Sequence, residues 1–169
     1  NELSPAPWTR GDFDMSAGRA GPLYAINLND DVLYRSIDSG SSWSLVGGLP
    51  QDAQRAAVAA NKDDSVFIAH CPGFPGSDQG KVFKSDPGGQ NFTEVSSYST
   101  DGTWIARIVV DSMGRLYTAI SEAAVGPSLV FFRSLDDGDT WEEVGAFDPS
   151  LFEEVSNYMQ IDTFFVDSN

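Results

Sequence analysis

The sequence predicts an all-β chain that forms part of a β-propeller, with about three four-stranded antiparallel blades and one strand of a fourth. Three observations carry this expectation. Segments recur at an interval of 49 residues, and each interval holds four short apolar runs separated by turn-forming residues. No segment sustains the roughly 3.6-residue apolar period of a helix, so helices should be nearly absent.

The interval is clearest in Leu33-Tyr34-Arg35-Ser36-Ile37-Asp38-Ser39-Gly40-Ser41-Ser42-Trp43 and in the matching stretches 82–92 and 131–141. Ser36, Ser85 and Ser134 stand 49 residues apart, and Gly40, Gly89 and Gly138 keep the interval, as do the aromatics Trp43, Phe92 and Trp141. Ahead of each lies a second shared run: Leu23-Tyr24-Ala25-Ile26, Val66-Phe67-Ile68-Ala69 and Leu116-Tyr117-Thr118-Ala119. Each is entered through a turn-forming pair, which reads as a strand behind a tight turn. Further upstream, the runs 56–60 and 105–110 end in Asn61 and Asp111. In the last repeat this predicts strands near 105–110, 115–121, 129–134 and 140–146, with equivalents about 49 residues earlier. The repeats then occupy about 12–46, 55–95 and 104–146 of a single partial domain over 1–169, and the next blade starts at 158–169. A β-sandwich has similar hairpins but no strict internal period.

Three repeats do not close a ring of about four to eight blades. The final Phe165-Val166-Asp167-Ser168-Asn169 matches Val109-Val110-Asp111-Ser112-Met113, which leads into a further strand. The expectation is a piece of a six- to eight-bladed propeller of roughly 300–400 residues. Its strand 161–166, with Phe164 and Phe165, should pack against the remaining blades of the same chain or another copy.

Ten Lys and Arg against 25 Asp and Glu give a net charge of -15, a field that repels phosphate backbones and anionic lipid. Nucleic acid and membrane insertion are therefore disfavoured as partners. Cys71 is the only cysteine, which excludes an intrachain disulfide and the multi-cysteine zinc spacings. No stretch approaches the roughly 18 apolar residues of a membrane span. Asn91-Phe92-Thr93 is a formal N-glycosylation sequon of low specificity.

Ser36-x-Asp38-x-Gly40-x-Ser42-Trp43 and Ser134-x-Asp136-x-Gly138-x-Thr140-Trp141 resemble the Asp-box, or BNR repeat, of sialidases, xyloglucanases, sortilin-type receptors and photosystem assembly factors. The middle copy keeps Ser85, Gly89 and Phe92 but has Pro87 at the Asp position and Asn91 at the Thr position, so its turn should be held differently. An Asp early in a hairpin turn accepts backbone N–H bonds, and Gly supplies the positive φ that closes it. The box is thus expected to be a staple, with Asp38 and Asp136 in turns rather than in catalysis, and with Trp43 and Trp141 mostly buried across the hairpin. Asp136-Asp137-Gly138-Asp139 offers too few oxygen ligands for a calcium loop, and neither a metal nor a cofactor is expected.

In such a propeller the box turns lie on one face, and the connections from second to third strand and from blade to blade open on the other, where ligands normally sit. That places Asp30, Asp31, His70, Asp78 and Glu122 on connections within blades, and Glu153, Glu154 and Tyr158 between blades. His70 and Cys71 also read as strand-end packing residues, and 147–158 as a solvated acidic loop. Glycoside hydrolysis needs two carboxyl groups facing one cleft about 5 to 10 Å apart. Nothing in the sequence pairs them, and no Arg-Ile-Pro motif marks a sialidase. The expected function is a secreted, extracellular or periplasmic non-catalytic binding or scaffold module for a glycan or protein ligand. The alternative is part of a glycoside hydrolase of xyloglucanase or sialidase kind.

Overall fold

A computed structural model describes residues 13–17, 21–50, 55–71, 80–97, 103–122 and 128–147. Twelve strands form three four-stranded sheets, each an antiparallel meander in chain order. The first contains β1 (Phe13–Ala17), β2 (Leu23–Asn27), β3 (Val32–Ser36) and β4 (Ser44–Gly48). The second contains β5 (Arg55–Ala60), β6 (Ser65–Cys71), β7 (Lys81–Pro87) and β8 (Gln90–Ser97). The third contains β9 (Thr103–Val110), β10 (Leu116–Glu122), β11 (Ser128–Ser134) and β12 (Glu142–Phe147). Helices are absent among the described residues. The expected fourth-blade strand at 158–169, with Phe164 and Phe165, lies outside them.

The sheets stack face on face, and strand periodicity determines which residue meets which neighbour. On β5 and β6, Val58, Ala60, Val66 and Ile68 pack with Tyr24, Ile26 and Leu33 of the first sheet. The alternate residues Ala57, Ala59, Phe67 and Ala69 pack, with Val82, against Ile108, Leu116 and Ile120 of the third. A strand buried on both faces cannot alternate polar with apolar, which is why 65–70 is buried without interruption.

In all three sheets the pairing of the third and fourth strands slips by one residue, between Leu33 and Tyr34, Val82 and Phe83, and Phe131 and Phe132. A slip in each sheet adds local twist, which suits a blade whose outer strand rotates away from its inner one.

Candidate functional site

The first strands β1, β5 and β9 are edge strands of their sheets, and β5 lies beside both β1 and β9. An edge strand leaves backbone donors without ladder partners, and here side chains from β1 supply them. The Asp14 carboxylate accepts from Val58 N–H at 2.8 Å, and Ser16 Oγ accepts from Ala60 N–H at 3.1 Å. The other Asp14 oxygen meets the Arg107 guanidinium on β9. One carboxylate therefore joins all three sheets, and its side chain is only 14% exposed. The sequence reading missed Asp14 and Ser16. Their signal was the polar alternation Asp14-Met15-Ser16 on a strand ahead of the first repeat, with no matching alternation in the later copies.

On one face lie the first turns (61–64, 111–114) and third turns (36–43, 85–91, 134–141) of the sheets. In the first turns an Asx side chain caps the chain. Asn61 Oδ1 accepts from the N–H groups of Asp63 and Ser65, both at 3.0 Å. Asp111 Oδ1 accepts from Met113 and Arg115 N–H at 2.8 and 2.9 Å, and its other oxygen meets Arg115 Nε. Burial pushes the Asp111 carboxyl up, but the Arg115 and Met113 bonds together hold it below the usual carboxylate range.

In the third turn, Asp38 Oδ1 accepts from Ser42 N–H and Ser36 Oγ–H, both at 2.8 Å, and its Oδ2 accepts from Ser42 Oγ–H. Ser36 Oγ also accepts from Gly40 N–H at 2.8 Å. Asp136 repeats the pattern with Thr140 N–H, Ser134 Oγ–H and Thr140 Oγ1–H, and Ser134 Oγ takes Gly138 N–H. The Ser42 or Thr140 hydroxyl, the N–H beside it and the Ser36 or Ser134 hydroxyl hold both carboxyls below their usual range. These groups are committed as acceptors and sit in exposed turns, an arrangement unsuited to a proton donor. Trp43 and Trp141 have most of their surface covered, in line with the expectation, without being fully enclosed. Each directly precedes an outer strand, β4 or β12. Trp141 Nε1 donates to Gly138 O at 3.0 Å while its ring leans on the core.

On the opposite face β2, β6 and β10 end, and there the ligand-face residues distribute unevenly. Asp30 and Asp31 lie in the turn after β2. Asn27 Nδ2 donates to the Asp30 carboxylate at 2.8 Å, and Asp31 has a left-handed φ of 51° while its carbonyl accepts from Leu49 N–H. Of the two expectations for His70, an open connection and strand-end packing, the second fits: it is a residue of β6, pairs with Ala56 and Lys81, and is 2% exposed. Its ring meets Phe83 edge-on, so it is a core residue. Glu122 is likewise not in a loop; it closes β10, opposite Thr103 and Ser128. The strands run further than the apolar pattern, because backbone pairing does not depend on side-chain polarity. Asp78, Glu153, Glu154 and Tyr158 lie outside the described residues. Among the described residues, no group of three His, Cys, Asp or Glu side chains is placed to hold a metal ion. No helix there is long and apolar enough to cross a membrane.

No protein-family model matches the chain. A xyloglucanase from a Paenibacillus species is 29% identical over 150 residues, which is 80% of this chain and 14% of that enzyme. Among solved structures, the GH74 xyloglucanase of Xanthomonas campestris superposes with a TM-score of 0.53 at 24% identity, over 72% of this chain and 18% of its own. YCF48 from Cyanidioschyzon merolae gives 0.55 at 16% identity, over 83% and 41%. YCF48 bound to D1 peptide gives 0.54 at 14% identity, over 82% and 44%. The three sheets are blades of a β-propeller. The blades span less than half the length of each of these proteins.

Proposed function

We propose that this chain supplies three Asp-box blades to a secreted, extracellular or periplasmic propeller, and that within it these blades bind a xyloglucan-type glycan without cleaving it. The observation that carries the reading is the 150-residue match to a xyloglucanase, which runs through most of the repeats. The non-catalytic part rests on the use of the carboxylates. Asp14 bridges blades, Asp38, Asp111 and Asp136 cap turns, and Asp30 is held by Asn27. The ligand would sit on the face where β2, β6 and β10 end, away from the stapled turns. A protein ligand on that same face is the other occupant.

A second reading is favoured by the same relative: the whole protein is a glycoside hydrolase, with its acid pair drawn from Asp78, Glu153 and Glu154. Affinity electrophoresis through gels containing xyloglucan, with a reducing-sugar assay alongside, separates the two. Retardation without sugar release is expected from this chain. Sugar release that disappears on replacing Glu153 or Glu154 by Gln would favour the hydrolase. Unretarded migration in every glycan gel would overturn the glycan reading.

A further inference from the structure

Each blade presents an aromatic ring and a cation side by side on the face it turns toward its successor. The pairs are Tyr24 with Arg35, Phe67 with Lys84, and Tyr117 with Arg133, joined across the second and third strands at Tyr24↔Arg35, Phe67↔Lys84 and Tyr117↔Arg133. At each of the two interfaces within the chain, the following blade delivers one carboxylate to this pair.

The donors differ. At the first interface Asp64, from the first turn of blade two, accepts from Tyr24 Oη–H at 2.7 Å and from the Arg35 guanidinium at 2.6 Å. At the second, Asp137 from the third turn of blade three meets Lys84 Nζ at 3.1 Å. By repeat position, each following blade is acidic at one of these two places and glycine at the other: Asp64 goes with Gly88, and Asp137 with Gly114. One carboxylate per interface suffices for the one cation that blades one and two each hold beside their ring, Arg35 and Lys84; in blade three Arg115 also lies over Tyr117, 5.9 Å from the ring centroid, but it is already paired with Asp111.

Blade three has the cation and no described sheet beyond it. There Arg133 turns back within its own blade and donates to Glu142, at 2.8 Å from Nε and 2.5 Å from Nη2. The same face carries Ala119 and Phe131 at the positions of Ile26 and Leu33, which blade two covers in the first interface. We propose that this face docks a further blade of the same repeat, one carrying Asp or Glu at the place of Asp64 or of Asp137, and that Arg133 exchanges Glu142 for that carboxylate.

A second copy of this chain is the competing occupant, and the charge pattern argues against it. The blade it would offer is its first, which has Gly21 where blade two has Asp64 and Ser39 where blade three has Asp137. Neither position brings an acid to Arg133.

The test uses the protein at its full length, with the melting temperature as the readout and Arg35→Gln as the reference for a clasped cation. Arg133→Gln should lower the melting temperature about as much as Arg35→Gln does. Arg133→Lys should keep most of the stability, since Lys84 fills this role at the second interface, and Glu142→Gln should leave it near wild type. If Arg133→Gln instead matches a small loss in Glu142→Gln, Arg133 serves only its own blade and the proposal fails. Sedimentation of the 169-residue chain supplies the other outcome. A dimer that Arg133→Glu dissociates would assign the face to a second copy and overturn the further blade as occupant.

Discussion

In the first and third blades the turn between the two outer strands is closed by an Asp side chain, whereas in the middle blade it is closed by a shifted backbone bond, an Asn amide and a bond to the first turn of the same blade. Asp38 and Asp136 each take a backbone N–H and two hydroxyls within a few residues. Pro87 at the same place offers neither an acceptor side chain nor an N–H. The middle turn consequently moves by one residue: Gly89 N–H bonds Asp86 O, where the others bond Ser41 to Asp38 and Asp139 to Asp136. Asp86 receives the Asn91 side-chain amide, and Gly88 N–H reaches Asp64 O in the first turn of its own blade. Gly89 sits under Leu33, Tyr24 and Val46 of blade one, as Gly138 sits under Val95 of blade two. The middle turn thus replaces the Asp staple by the Asp86–Asn91 bond and by a bond to another turn of its own blade.

That contrast is most open to attack at the glycines. A Cβ on Gly89 would stand 2.9 Å from Leu33 Cδ2 and 3.2 Å from Tyr24 Cε1, at a φ of +85°. Clash and backbone strain together predict a loss of about 2–4 kcal/mol for Gly89→Ala. At Gly40 the nearest atom would be 3.6 Å away with a similar φ, leaving strain alone, about 1–2 kcal/mol. Urea unfolding of both variants measures the difference, and equal losses would show that the blade-one contact adds nothing at Gly89.

The next largest effect is at the interface that supports the middle blade. Tyr24 is fully buried, and burial together with Asp64 raises its hydroxyl above its ordinary range, so it stays a donor. Tyr24→Phe deprives the Asp64 carboxylate of one of two donors, at a cost of about 1–2 kcal/mol. Arg35→Gln removes the other, and because both act on one carboxylate their losses should not add. Additive losses in a double-mutant cycle would mean that Asp64 is served by water instead.

The fold was legible in the sequence because repetition amplifies a weak signal: Ser36, Ser85 and Ser134 fix the frame, and the alternating runs around them supply the strands. The different character of the middle turn was legible too, from Pro87. What the sequence hid was long-range pairing. Asp14 contacts partners 44 and 93 residues away, and the local alternation Asp14-Met15-Ser16 does not say which partners those are. The end of the strand at His70 and Cys71 was legible as packing, although Pro72 and Gly73 follow at once, and strand pairing does run through to Cys71. The ligand face was inferred from topology alone, and residue type cannot say which of its acids a neighbouring side chain will occupy, as Asn27 does Asp30.

The smallest expected effect separates the two kinds of turn by their response to acid. Asp38 and Asp136 have folded-state pKa values below those of the unfolded chain, through the Ser42 and Thr140 hydroxyls first and the adjoining N–H groups next. Their contribution to stability is therefore complete above the unfolded value, roughly 4, and is lost as pH falls through the lower folded value. As pH falls below about 4 the melting temperature should fall, and Asp38→Asn with Asp136→Asn should start lower at neutral pH and fall less steeply. Pro87→Asp puts a carboxyl at the same repeat position in the middle blade. Because the turn there has slipped and Gly88 and Gly89 are already bonded to Asp64 and Asp86 carbonyls, the new side chain should face solvent with no N–H to accept. The acid limb of its melting curve should overlay that of the unmodified protein. A steeper limb would mean that one Asp is enough to pull the turn back into the register of its siblings, and that the blade-one contacts around Gly89 yield to the local staple.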